Sequence, residues 1–499
     1  MTPIPRTVPG LDLTRAPVLG AVLGWRHLRT LLQSLLLLFA VATVYDGFAG
    51  SPMAPKNLAG VLPWIQWRGL TVVSLLLAGS LFCTACPFML TRRLSKKLFA
   101  ADRAWPAPLR GKWLAGGILI AYFWVYEALD PWAVPWMTAA LALAYFAAAF
   151  VVDGLFRGAA FCKYLCPIGQ FNFVNSTCSP VEVRVRDDAV CRECASKACV
   201  AGLSQSSVPG PEPPAVPRPP IPHPRLLQQG CELFLFQQQK VGNLDCTFCL
   251  DCLHACPSKN VGVVPRLPVA ELWDTRRRSG IGRLSDRPDV AFLALVMVFG
   301  AFLNASGMVG PFHGFERWLM GLLGIDAEWL VLAVVFGVGL GLLPAALVGA
   351  TALLSRAAGG STRPIRSIAA RFSFALVPLG FGMWMAHYGF HFLSGGLTVI
   401  PVTQAFFTDI GWPVFGAPRW GLAALLPGDW LLPVEIALLE AGLLGSLVAA
   451  YKLALGEYGG KGRTLWGFLP WAVLALALFA AGVWLMLQPM EMRGMMSGG

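Results

Sequence analysis

The run Cys246-Thr-Phe-Cys249-Leu-Asp-Cys252-Leu-His-Ala-Cys256-Pro257 reads C-x2-C-x2-C-x3-C-P. This spacing wraps a [4Fe–4S] cubane: three thiols on one tight loop converge on one cluster, and the fourth, followed by proline, goes to a second. Four cysteines so spaced, with a trailing proline, argue against a zinc site or chance. The run therefore requires a partner motif elsewhere in the chain.

The partner is Cys191-Arg-Glu-Cys194-Ala-Ser-Lys-Ala-Cys199, whose third spacing is longer than usual and which lacks a following Cys-Pro; Cys231 stands alone further on. Together these supply eight thiols, enough for two [4Fe–4S] clusters. Cys246, Cys249 and Cys252 are expected on one, with Cys199 or Cys231. Cys256 is expected to join Cys191, Cys194 and the remaining one on the other.

Around this module the chain is apolar. Only 13% of its 499 residues are charged and 56% are hydrophobic, with a mean hydropathy of +0.61; a soluble domain carries about 25% charged residues. Nine segments are long enough to span a bilayer core: Leu28–Phe48, Gly69–Leu90, Trp113–Leu129, Val134–Phe156, Val290–Met308, Trp329–Leu353, Phe372–Leu393, Leu431–Leu453 and Trp466–Leu487. The net charge of +12 does not indicate nucleic acid, because the lysines and arginines fall in alternate loops. Arg6, Arg15, Arg26 and Arg29 precede the first span, Arg92 to Lys112 follow the second, Arg356 to Arg371 follow the sixth, and Lys452, Lys461 and Arg463 follow the eighth. The positive-inside rule then puts the N-terminus in the cytoplasm and the C-terminus outside. The first span is too far from the start to read as a signal peptide.

The expected architecture is an all-α polytopic membrane protein with a small inserted α+β domain. Residues 1–156 form a four-span membrane domain and 157–288 a cytoplasmic two-cluster domain. Residues 289–499 form a five-span membrane domain ending in a methionine-rich tail after Met490. The segment 208–225 holds nine prolines and is expected to run as an extended linker. Eleven of thirteen cysteines lie in 162–256, at metal-ligand spacing, which fits a reducing compartment better than a disulfide scaffold.

Four more thiols sit at the ends of spans two and four, in Cys83-Thr-Ala-Cys86-Pro87 and Cys162-Lys-Tyr-Leu-Cys166-Pro167. Both spans run outward to inward, so the pairs emerge at the same face. Together they are a candidate third Fe–S cluster, a copper site or redox dithiols. Cys178 has no partner by spacing and is read as structural.

The motifs resemble those of the NapH/NosR/CcoG group of membrane polyferredoxins, over about 69–265. Cys162–Pro167 and Cys246–Pro257 match closely. Cys83–Pro87 is one residue short of the family's spacing, Cys191–Cys199 is irregular, and the last five spans exceed the usual NapH complement. The resemblance implies a ferredoxin-like module with two [4Fe–4S] clusters and membrane electron transfer to a respiratory or metal-maturation partner.

In the distal half, His387 and His391 share one helix face at i, i+4, and Glu435 and Glu440 lie in the eighth span. Intramembrane ionisable groups are costly and mark function, so these four are a candidate quinone, proton or metal site. Haem b is a weaker alternative, because one helix face cannot clamp both sides of a ring; one histidine paired with a methionine or with His313 is the remaining arrangement. No dinucleotide-binding glycine motif and no P-loop is present, so neither an NAD(P)H site nor an ATP site is expected.

The function expected is electron transfer at a bacterial inner membrane. The chain would serve as a subunit of an oxidoreductase system, between a cytoplasmic donor or the quinone pool and a membrane or periplasmic acceptor. The alternative is a copper reductase or maturation factor acting on metal held by thiol, His and Met ligands.

Overall fold

The computed structural model describes residues 11–99, 103–204 and 226–491. The proline-rich segment 208–225 and the methionine-rich tail beyond Glu491 lie outside them. Eight helices are long and apolar enough to cross a membrane: Leu28–Ala49, Leu58–Ala78, Pro135–Leu155, Pro288–Ser306, Glu328–Gly359, Ile365–Asp409, Gly428–Tyr458 and Lys461–Met486. Trp113–Leu129 is a shorter apolar helix of 17 residues, about 26 Å long.

The second span differs from expectation. It covers Leu58–Ala78 rather than Gly69–Leu90, passing Pro63 and Gln66 through a π-helical turn at Leu62–Trp67. Proline and glutamine in that stretch read as a loop from sequence, and the π-turn is what absorbs them. The helix stops because Gly79 takes a left-handed φ of 67°, open to glycine at little cost. A Cβ at Gly79 would also meet the Phe248 ring at 2.7 Å. Cys83 and Cys86 consequently lie beyond the span, on and after the single turn Leu81–Thr84, where the 246–252 loop rests on them.

The seventh span is longer than expected, continuing from Ile365 to Asp409, and 94% of its most apolar window is buried. Its helix Val377–Gly395 is the hub of the bundle. It packs on Pro288–Ser306 and Leu431–Tyr458, and a Cβ at Gly69 on the second span would strike Phe392. Gly382 and Gly442 let two helices touch: a Cβ at either would stand 2.8 Å from a backbone oxygen of the other helix, as close packing in membranes requires. The two expected membrane domains are therefore joined in one bundle.

The sulfur-rich segment lies between the helices Pro135–Leu155 and Pro288–Ser306 and holds the four short strands of the described residues. β1 (Val181–Val185) pairs antiparallel with β4 (Val261–Pro265), Val181 facing Pro265 and Val185 facing Val261. β2 (Leu203–Ser204) pairs antiparallel with β3 (Leu226–Gln228). Val181, Val183, Val261 and Val263 are buried against Phe248 and Leu250, the β-branched face such a pair needs.

Arg266, just past β4, ties this module to the helix Pro167–Asn175. It donates to the backbone oxygens of Ser176, Thr177 and Ser179 at 2.8–3.0 Å and to Glu271 at 2.7 Å. Arg266→Ala removes the guanidinium that neutralises buried Glu271 and one donor from each of three carbonyls, at a cost of about 3–5 kcal/mol. A lowered thermal unfolding midpoint is the expected result, and an unchanged midpoint would refute the role.

Candidate functional site

The strand pair decides how the thiols group. Cys191 follows β1 and Cys256 precedes β4, so the β1–β4 ladder brings together residues far apart in sequence. The thiol of Cys191 feels those of Cys256 and Cys194, and Cys199 feels all three. Asn260 ties the set: its backbone N–H donates to Cys256 Sγ at 3.2 Å and its side-chain Nδ2 to Cys191 Sγ at 3.5 Å. Nothing in the cysteine spacing pointed to Asn260.

The second set is Cys231, Cys246, Cys249 and Cys252. Cys252 interacts with Cys246 and Cys231, and Cys249 with Cys231. Cys231 packs with Cys246, and its backbone N–H donates to the Cys199 carbonyl at 2.9 Å. That loop curls through left-handed residues at Phe248 (φ 54°) and Leu250 (φ 61°). Burial pushes the Cys231 thiol up to about 11, so loading a metal there releases a proton. The two sets adjoin through Cys252 and Cys199.

The four thiols at the membrane face also meet. Cys166 interacts with Cys162, Cys86 and Cys83. The sulfurs are held by N–H donors: Arg92 Nη2 to Cys162 at 2.9 Å, Asn172 Nδ2 to Cys83 at 3.1 Å and the Gly169 amide to Cys166 at 3.3 Å. Arg92 is itself fixed by Asp153 at 2.6 Å and by Glu232. Cys246 of the second set interacts with Cys83, and Cys246 packs with Cys162 around Cys231. Thr84 Oγ1 donates to the Phe248 carbonyl at 2.7 Å, which pins the loop to the membrane thiols. Cys178 stays apart, buried in the helical core. Among the described residues no three His, Cys, Asp or Glu side chains converge tightly enough to hold a single metal ion.

A cavity of about 250 Å³ opens beside the membrane thiols, bounded by all four of them and by Cys246, Lys112, Tyr122, Tyr388 and Arg68. Arg68 lies over the rings of Trp64, Tyr126 and Tyr388 at 4.5–4.9 Å. Its Nη1 donates to the Tyr126 hydroxyl at 3.1 Å. Arg68 stands within the second span and was not a sequence candidate; locating that span further back along the chain is what exposes it as an intramembrane cation.

The distal candidates divide. The His387 and His391 rings stand 5.2 Å apart at 78°. His387 is fully buried, and neither of its ring nitrogens, nor Nε2 of His391, has a hydrogen-bond partner. Glu435 is buried on the neighbouring helix while Glu440 is exposed. His313, the outlying haem alternative, is engaged through both nitrogens, by Glu316 and the Glu491 carbonyl.

No protein-family model matches the chain, and searches of curated proteins and of solved structures find no similar protein. The fold and its apolar helices define a multi-pass helical membrane protein.

Proposed function

We propose that this chain is a membrane iron–sulfur electron-transfer protein serving an oxidoreductase system, of the NapH/NosR/CcoG type its motifs resemble. The observation that carries the reading is the continuity of the thiols. Three sets of four follow one another, joined where Cys199 neighbours Cys252 and where Cys246 neighbours Cys83. A [4Fe–4S] cluster supplies one-electron transfer at a potential tuned by hydrogen bonds to its sulfurs. The chain offers such bonds from Asn260, Asn172, Arg92 and the Gly169 amide.

In this reading β1–β4 and the loops around them form a ferredoxin-like module on the cytoplasmic side of a bacterial inner membrane, where the positively charged loops lie. A cytoplasmic partner exchanges electrons with the Cys191 set. The Cys246 set relays them to the membrane thiols. Anaerobically purified protein is expected to hold at least about eight iron atoms and to give a cluster EPR signal on reduction. Iron-free protein without that signal would sink the proposal.

The cavity beside the membrane thiols suits the ring of a quinone, an acceptor or donor of electrons at this depth. Its walls are aromatic, and Arg68 with the Tyr122 and Tyr388 hydroxyls can donate to ring oxygens. These groups support a quinone at Arg68 more than one at His387, His391 and the glutamates. Arg68→Gln removes a charged hydrogen bond of ~1.5–3 kcal/mol, so quinone-linked turnover should fall at least about tenfold with iron content unchanged. Unaltered turnover would move the outlet elsewhere.

A further inference from the structure

Beside the Cys246 set lies a second cleft of about 520 Å³, within the range of small-molecule sites; Arg92 and Glu232 line both it and the membrane cavity. Cys249 forms part of its wall, with six cations: Arg26, Arg29, Arg92, Arg93, Lys96 and Lys97. Two carboxylates face them, and both are already engaged. Asp251 accepts from Arg29 at 2.5 Å, and Glu232 is shared between Arg29 and Arg92. Arg26, Arg93 and Lys97 are exposed and make no ion pair within 4 Å among the described residues. Arg93 reaches only the Thr30 hydroxyl, at 3.2 Å. Burial and the neighbouring Arg29 hold the Arg93 guanidinium below its usual range, as expected where positive charge is in excess.

We propose that this cleft binds a phosphate-bearing ligand, held by Arg93 and Lys97 and seated against the wall that carries Cys249. Guanidinium forks match phosphate oxygens two at a time, and lysine adds a mobile point charge. The concave shape favours a headgroup or nucleotide over the flat face of an acidic protein. The chemistry is shared by a soluble redox nucleotide and an anionic lipid headgroup, since Arg93 and Lys97 lie on the helix Phe88–Phe99 next to a spanning bundle. Binding does not depend on the electron-transfer reading; only a role of the ligand as electron donor would.

The test uses full-length protein in phosphatidylcholine nanodiscs, with and without phosphatidylglycerol, and the double variant Arg93→Gln/Lys97→Gln. FMN fluorescence quenching reads the nucleotide, inorganic phosphate serves as competitor, and the thermal midpoint reads the lipid. FMN binding competed by phosphate and weakened about tenfold or more in the variant supports the proposal with a soluble ligand. Stabilisation by phosphatidylglycerol that the variant loses, without FMN binding, supports it with a lipid. If neither probe distinguishes wild type from the variant, the proposal is overturned. Iron content is measured on the same samples, so loss of the clusters is seen separately from loss of this site.

Discussion

Cys252→Ser is expected to remove about four iron atoms per chain and to stop electron flow between the soluble module and the membrane. Cys252 is 5% exposed and neighbours Cys246 and Cys231 within its own set and Cys199 in the next. A serine hydroxyl is a poor substitute for thiolate on iron, a metal whose clusters are held by sulfur. In the proposed path the middle set adjoins both others, through Cys199 on one side and Cys83 on the other. With it empty, the Cys191 set keeps the β1–β4 ladder and Asn260, whose valine face rests on Phe248 and Leu250 of the Cys246 loop. The variant should therefore keep the cluster on the Cys191 set, accept electrons from a chemical reductant and fail to pass them to a membrane acceptor. Cys178→Ser is the control: that thiol is buried away from all three sets, and its loss should leave iron and turnover unchanged. Iron quantification with EPR of the reduced protein reads both. Full iron content and normal transfer in the Cys252 variant would overturn the assignment.

How much of this was legible in the sequence depends on what each residue's role rests on. The Cys246–Cys256 loop is local: its ligands lie within one turn of chain, so spacing alone places them. Cys256 joins Cys191 through a strand pair between residues about 80 apart, and pairing register is not written in cysteine spacing. The membrane thiols were legible as pairs because each ends a helix at a Cys-Pro, although hydropathy misplaced one of those helices by about ten residues. Proline and glutamine at 63 and 66 look like a loop until a π-turn takes them into the bilayer. That shift hid Arg68. The i, i+4 histidines stand with their rings 5.2 Å apart, but which groups face them across helices is a matter of tertiary packing, and of the two glutamates only Glu435 is buried.

The membrane thiols provide the sharper test, because two outcomes differ by a countable quantity. A chain with two clusters carries about eight iron atoms, and one with a third at Cys83, Cys86, Cys162 and Cys166 carries about twelve. Twelve is the count that the proposed third cluster requires. Four thiolates gathered in a low-dielectric wall are costly unless positive charge stands beside them, and three cations stand there. Arg92 donates directly to Cys162. Lys163 pairs with Asp245 at 3.3 Å. The Lys112 ammonium donates to the Lys163 carbonyl and the Gln170 side-chain oxygen, its backbone N–H donates to Asp289 at 2.8 Å, and burial pushes the ammonium down to about 8. Ordinary packing cysteines would be neutral thiols and would need none of this. Cys166→Ser should lower the count from about twelve to about eight and leave the EPR signals of the other two sets in place. Arg92→Gln should keep the iron but shift the third signal's potential, since it removes a charged donor from one sulfur. A wild-type count of about eight with tight Cu(I) binding abolished by Cys166→Ser would instead assign these thiols to copper, and the electron path would then end on a metal substrate at the membrane face.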